Sequence, residues 1–175
     1  MLKTWTVEEI REILHEVGEK FNFSCDEVPI FISTRMTRRL GCFRAKINYE
    51  TSKYSPVSFT FTKDILNGAY SEEGVREIVI HEYIHYYIII KLQEIHNHDE
   101  VFIKYCKLAG IPGSSKFSGK PVAGYKQSAY VLRCSHCGKM IGYKTRKTKI
   151  IKNIEKYRSN CCYAGITISK EEIAI

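Results

Sequence analysis

The stretch that most constrains this chain is Val79-Ile80-His81-Glu82-Tyr83-Ile84-His85-Tyr86-Tyr87. It sets His-Glu-x-x-His inside an apolar run with the composition of a buried helix. Four residues of α-helix turn about 400° and rise about 6 Å, so His81 and His85 fall on one face, one turn apart. That spacing suits two imidazoles binding one zinc ion, with Glu82 beside them to hold a water and accept its proton. A buried helix that merely carries two histidines is a real alternative for a bare five-residue motif. The surroundings weigh against it, because His and Glu among Ile, Val and Tyr are costly to bury without partners, and a metal is such a partner.

The chain's 175 residues give room for one modest domain, or one domain with a small appendage. A composition of 44% hydrophobic and 26% charged residues excludes a disordered chain. The most apolar segment, Tyr83 to Ile90, is too short and too interrupted to span a membrane, so no membrane partner is expected. Met1-Leu2-Lys3-Thr4-Trp5 leads into an acidic amphipathic helix and not a signal-peptide core. The expectation is a cytoplasmic protein, nucleoid-associated or nuclear if it works on DNA, whose seven cysteines are thiols or metal ligands. The net charge of +8 is unevenly spread. Residues 1–115 carry 14 Lys and Arg against 16 Asp and Glu, whereas residues 116–170 carry 13 against one. This change of composition marks the domain boundary: 1–112 as one domain, 113–125 as a Gly-, Ser- and Lys-rich linker, and 126–175 as a basic module.

Thr6-Val7-Glu8-Glu9 has the form of a capping box, and Val7, Ile10, Leu14 and Val17 continue it as an amphipathic helix over residues 7–20. Residues 28–34, 42–49 and 57–62 are β-branched, aromatic or alternating, and predict three strands. With Gly41 and Ser55-Pro56 as turns, they make a small, mainly antiparallel sheet. Arg35, Arg38 and Arg39 between the first two strands read as a solvated loop in preference to a substrate or nucleic-acid contact. Ser71-Glu72-Glu73 caps the central helix, which is expected to run to about Glu94. Asn97-His98-Asp99-Glu100 is a second capping box, opening a helix through Val101, Phe102, Tyr105 and Leu108 that Gly110 and Pro112 stop. The same turn offers a third metal ligand. By residue chemistry His98 and His96 are comparable, with Glu94 a further competitor.

His81-Glu82-Tyr83-Ile84-His85 followed by His98-Asp99-Glu100-Val101-Phe102 resembles the SprT-like (Spartan-type) metallopeptidases. Their pattern is His-Glu-x-x-His and then a later His-Gly-x-x-Phe/Trp, whose histidine is the third zinc ligand. The resemblance implies that His98 is the ligand and His96 is not, and that Phe102 packs the second helix onto the first. Asp99 departs from the pattern, which has glycine there. The implied fold class is α+β: a zincin-like metallopeptidase domain of N-terminal helix, small sheet, His-Glu-x-x-His helix and following helix, with a C-terminal zinc ribbon.

The ribbon is expected from the cysteines. Cys134-Ser135-His136-Cys137-Gly138 follows a short apolar strand and has the form of a zinc knuckle. Cys161 and Cys162 supply a second pair, adjacent instead of Cys-x-x-Cys. Either all four cysteines bind, or one of the second pair does and His136 or water completes the site. A redox dithiol or a disulfide is the alternative; a module with so little apolar material favours a metal staple. Cys25, Cys42 and Cys106 read as ordinary buried thiols. Lys144, Arg146, Lys147, Lys149 and Lys152, expected along a ribbon hairpin near Tyr143 and Tyr157, form a positive face suited to a phosphate backbone, without base-specific readout.

Taken together, these residues predict a zinc metalloendopeptidase with one catalytic and one structural zinc. Its protein substrates, by the Spartan resemblance, are associated with or crosslinked to DNA, which it binds without sequence specificity. Glu82 is the general base, and Tyr83, Tyr86, Tyr87 and Arg38 are the candidates for oxyanion stabilisation. Strand 57–62 is the expected edge for an extended substrate. The rivals are a non-catalytic, zinc-stabilised nucleic-acid-binding protein and a metal-dependent hydrolase of small amides. A purely structural site has no need of Glu82, and a small-amide hydrolase has no need of the basic module.

Overall fold

A computed structural model describes residues 3–36, 38–113 and 126–174. Apart from Gly113, the expected linker lies outside the described residues. The chain divides into two compact units, Met1–Val122 and Ala123–Ile175.

The first unit begins with α1 (Val7–Lys20). Its capping box is complete: Thr6 Oγ1 accepts the Glu9 N–H at 3.1 Å, and Glu9 Oε2 accepts the Thr6 N–H at 2.8 Å. Ile10, Ile13, Leu14 and Val17 face the core. Three strands follow, β1 (Ile30–Ser33), β2 (Gly41–Asn48) and β3 (Lys53–Thr62), in the order β1-β3-β2. Only the β2–β3 pairing is antiparallel; β1 and β3 run parallel, because the hairpin returns β3 into the middle of the sheet. Residues 57–62 therefore lie in the central strand, where Phe59, Thr60 and Phe61 are paired on both sides and leave no edge for an added strand. Among the described residues the unpaired edges belong to β1 and β2.

Neither expected turn is a turn. Gly41 is the first residue of β2, and Ser55-Pro56 lies inside β3. Pro56 has no N–H to give a ladder, and it pairs with Ala45 where the register shifts between Arg44 and Ala45. The chain actually reverses just after Asn48, whose Oδ1 accepts the Glu50 and Thr51 N–H groups.

Next comes α2 (Glu72–Tyr86), capped by Ser71 Oγ on the Gly74 N–H. Val75, Ile78, Val79, Ile80, Tyr83 and Ile84 are buried around most of its circumference, the pattern of a helix enclosed by its neighbours. Its α-helical hydrogen bonding does not reach Glu94. It passes into a π-helix over Tyr87–Leu92 and stops at Gln93, whose backbone is left-handed at φ 59°. The following helix, α3 (Glu100–Ala109), is capped by Asp99 and not by Asn97. Gly110 ends it at φ 92°. Phe59 and Phe61 of β3, the inner faces of α1 and α2, and Phe102 and Cys106 of α3 make one core.

The second unit is a three-stranded antiparallel sheet with β4 (Lys126–Cys134) in the centre between β5 (Met140–Lys144) and β6 (Ile166–Ala174). Ala129, Val131, Leu132 and Ile151 are its buried apolar residues. The molecule is thus a mixed α+β protein with two small sheets. Among the described residues no helix is long and apolar enough to cross a membrane.

Candidate metal centres

Two groups of side chains converge as metal ligands would. In the first unit, α2 presents His81 and His85 on one face, and the loop after the π-helix brings His98 over them. His98 Nε2 lies 3.1 Å from Nε2 of both His81 and His85. Ligand nitrogens about 2.0–2.1 Å from a tetrahedral ion are spaced about 3.3 Å apart, so three nitrogens in this arrangement fit one ion. Phe102 forms the floor, its ring centroid 4.9, 4.4 and 4.8 Å from those of His81, His85 and His98. His96 turns the other way: its Nδ1 meets Asp99 Oδ2 at 2.7 Å and its Nε2 meets Glu94 Oε2 at 2.9 Å.

The left-handed residue in this loop is His98 itself, at φ 63°. Asp99, in the place of the glycine of the SprT-like pattern, has an ordinary φ of −80°. It caps α3 through Oδ1, which accepts the Val101 and Phe102 N–H groups. The aspartate needs no glycine-like backbone and contributes a cap that glycine lacks.

Burial lowers the pKa of His81 to about 4 and of His85 to about 3, and lowers that of His98 as well. The imidazoles are therefore neutral at neutral pH, the form that ligates a metal. Glu82 is 8% exposed, and its Oε2 accepts the Phe43 N–H at 2.8 Å. Desolvation pushes its carboxyl up to about 7, against the opposing pull of the Phe43 N–H and the Arg39 charge. These groups border a cleft of about 600 Å³, whose other wall includes Arg38, Arg39 and residues 40–43. The sequence favoured a solvated loop for the arginines. Arg38 and Arg39 are indeed exposed outside any helix or strand, and they also stand at the rim of the cleft. The three candidate tyrosines are committed elsewhere. Tyr83 OH donates to Phe23 O, Tyr86 OH donates to Ser24 O, and Tyr87 packs among Phe21, Phe23 and Tyr105.

In the second unit Cys134, Cys137, Cys161 and Cys162 bring their sulfurs within 4.8 Å of one another. The Cys137 and Cys161 sulfurs are 3.6 Å apart, against about 3.8 Å for thiolates around a tetrahedral zinc. Both members of the adjacent pair take part in the cluster, and His136 does not. The Ser159 hydroxyl, 3.2 Å from the Cys134 sulfur, leads the effects that bring this thiol down to about 6. Cys162 moves up to about 12, foremost through its hydrogen bond with Cys137. Thiols this close resist losing all their protons unless a cation offsets the charge, as the donor set of a metal site requires.

The basic residues do not share a hairpin. Lys144 ends β5, Arg146 and Lys147 lie in the loop that follows, and Lys149 and Lys152 lie in α4 (Lys149–Lys152). All five are exposed. Sequence reasoning missed Ser159, the Phe43 N–H and the packing role of Gly41. The first two leave no local pattern, and a lone glycine between strands reads as a turn.

Fold and side chains define the class: a small α+β protein with a three-histidine group, beside a buried glutamate, and a four-cysteine group, each able to hold a metal ion. The model of the SprT-like family matches residues 10–116, more than half of the chain, and the chain belongs to that family. The match runs from α1 through α3 and covers the histidine cluster. The family is associated with metallopeptidase-like function. No curated protein matches the chain significantly.

Proposed function

We propose that this protein is a zinc metalloendopeptidase that acts on DNA-associated or DNA-crosslinked proteins. One observation carries the peptidase reading: the Nε2 atoms of His81, His85 and His98 converge at 3.1 Å separations beside a buried Glu82, in an open cleft. A purely structural ion would need no carboxylate in that position.

On this reading His81, His85 and His98 hold the catalytic zinc in a zincin-like domain. Zinc, when bound there, supplies the Lewis acidity that lowers the pKa of a water and polarises a peptide carbonyl. Glu82 orients the water through its carboxylate, takes up its proton during attack and passes that proton to the leaving amine nitrogen. Arg38 is the one member of the four candidate donors that lines the cleft, and its guanidinium is suited to a developing oxyanion. The free edge of β2 also borders the cleft and offers backbone groups to an extended peptide, a role that central β3 cannot fill. Cys134, Cys137, Cys161 and Cys162 hold the structural zinc of a ribbon within a module at 126–175, following a linker at 113–125. Exposed Lys144, Arg146, Lys147, Lys149 and Lys152 attach the protein to DNA phosphates without reading sequence. Such an enzyme works inside the cell, where its substrates are.

The test is cleavage of a DNA-binding protein, with and without single-stranded DNA, by the wild type and by Glu82→Gln, with bound zinc counted in both. Glu82→Gln is expected to keep its zinc and lose activity by about 10²–10⁴-fold. Full zinc occupancy with no cleavage by the wild type in either condition would move the reading to a zinc-stabilised nucleic-acid-binding protein.

A further inference from the structure

The hydrogen bond between β2 and Glu82 follows from strand register. Phe43 pairs with Phe59, but the Phe59 N–H donates at 2.9 Å to Pro29 O on the other side of β3. The Phe43–Phe59 pair is therefore a non-hydrogen-bonded one, and the Phe43 N–H points off the free edge of the sheet. Leu40, in the opposite phase, turns its carbonyl inward to accept the Thr62 N–H at 2.9 Å. The outward Phe43 N–H would have no strand partner, and Glu82 Oε2 takes it at 2.8 Å.

Two residues earlier, Gly41 makes the space for that contact. A Cβ built on Gly41 would lie 2.5 Å from Glu82 Cγ, 2.8 Å from Oε1 and 2.9 Å from Cδ. All three nearest atoms belong to one side chain, and none to the backbone of α2. Gly41 is a paired strand residue without the positive φ that favours glycine, so its conformation suits any residue. What requires a glycine here is the volume of the Glu82 side chain. A carboxylate in the open could step aside from a methyl group, but this one is buried and held by the Phe43 N–H.

We propose that Gly41, together with the Phe43 backbone N–H, positions the Glu82 carboxylate for catalysis; the catalytic part of this rests on the peptidase reading above. Gly41 is a positioning residue and acts only through Glu82. Adding a methyl group at position 41 displaces the carboxylate from the Phe43 N–H and from its place beside the histidines. A displacement of about 1 Å at a catalytic group costs on the order of 10²-fold in rate.

The test uses full-length protein loaded with zinc, in four forms: wild type, Gly41→Ala, Glu82→Ala and the double variant. With a fluorescein-labelled unfolded protein as substrate, Gly41→Ala is expected to keep the wild-type zinc content and a KM within about twofold, while kcat falls on the order of 10²-fold. Thermal unfolding supplies a readout independent of catalysis. Gly41→Ala should lower the Tm by about 5 °C in the wild-type background. It should lower the Tm by less than about 1 °C in the Glu82→Ala background, where the side chain that the new methyl would meet is gone. Equal losses of Tm in the two backgrounds, or an unimpaired kcat in Gly41→Ala, would overturn the proposal. If Gly41→Ala alone does not fold, folding of the double variant supports the proposal and its failure to fold overturns it. A wild type that cleaves nothing defeats the peptidase reading, and the Tm cycle then still decides whether Gly41 places Glu82.

Discussion

Two histidines, two residues apart, divide their work through their hydrogen bonds. His96 is engaged at both ring nitrogens, by Asp99 and by Glu94, and the Asp99 hydrogen bond leads the effects that raise its pKa. His98 adopts a left-handed backbone that turns its ring toward His81 and His85. The residues alone left the two comparable, and the SprT-like pattern was what preferred His98. The expected outcome is asymmetric. His98→Ala should empty the histidine centre while the cysteine cluster keeps its metal. His96→Ala should retain both and loosen only the 94–99 loop. Zinc counting by elemental analysis on the purified variants decides this; loss of the histidine-site metal from His96→Ala would reverse the assignment.

At the level of elements, the end of the central helix is fastened by one side chain. Gln93 Oε1 accepts the Tyr54 N–H at 2.7 Å, and its Nε2 donates to Tyr54 O at 3.2 Å and to Ile90 O at 2.7 Å. It pairs with the backbone of β3 as another strand residue would, and so fixes where the π-helix stops and where the loop carrying His98 departs. Gln93→Ala loses all three bonds at an exposed site, which should cost about 1–3 kcal/mol of stability by urea unfolding. Because the His98 loop then starts from a looser anchor, zinc at the histidine centre should also dissociate faster in a competition with a chromophoric chelator. An unchanged dissociation rate would confine Gln93 to stability. Local chemistry explains which elements were legible in the sequence. The Thr6–Glu9 box and the Ser71 cap act within four residues, and both stand where the sequence put them. The His81–His85 spacing is likewise a property of one helical turn. The misread features depend on partners far along the chain. Gly41 is set by Glu82, the passage into π-helix is not marked by any proline or glycine, and the central place of β3 follows from sheet order. Ser159 beside Cys134 could not be found without the fold that joins them.

Over the whole molecule, charge separates what chemistry joins. Residues 1–115 carry slightly more acid than base, and all of the surplus positive charge lies beyond them. Within the second unit some of that charge is already spent: Arg133 pairs with Glu171 at 3.0 Å. Lys144, Arg146, Lys147, Lys149 and Lys152 form no ion pair among the described residues, and Tyr143, Tyr157 and Tyr163 are exposed in the same unit, where unpaired bases could stack. If all five cations contact phosphates, binding of the full-length protein to single-stranded DNA should weaken with salt along a log–log slope of about −3.5. Replacing Lys144, Arg146 and Lys147 with alanine should flatten that slope by about 2 and weaken binding to unrelated sequences alike. Glu82→Gln should leave it unchanged, because the carboxylate belongs to the cleft and not to the basic surface. Fluorescence anisotropy between low and moderate salt measures all three. A slope near zero would make the cations a solubilising surface and leave the histidine centre to find its substrates without DNA. A steep slope that survives the triple substitution would place the phosphate contacts on other residues of the chain.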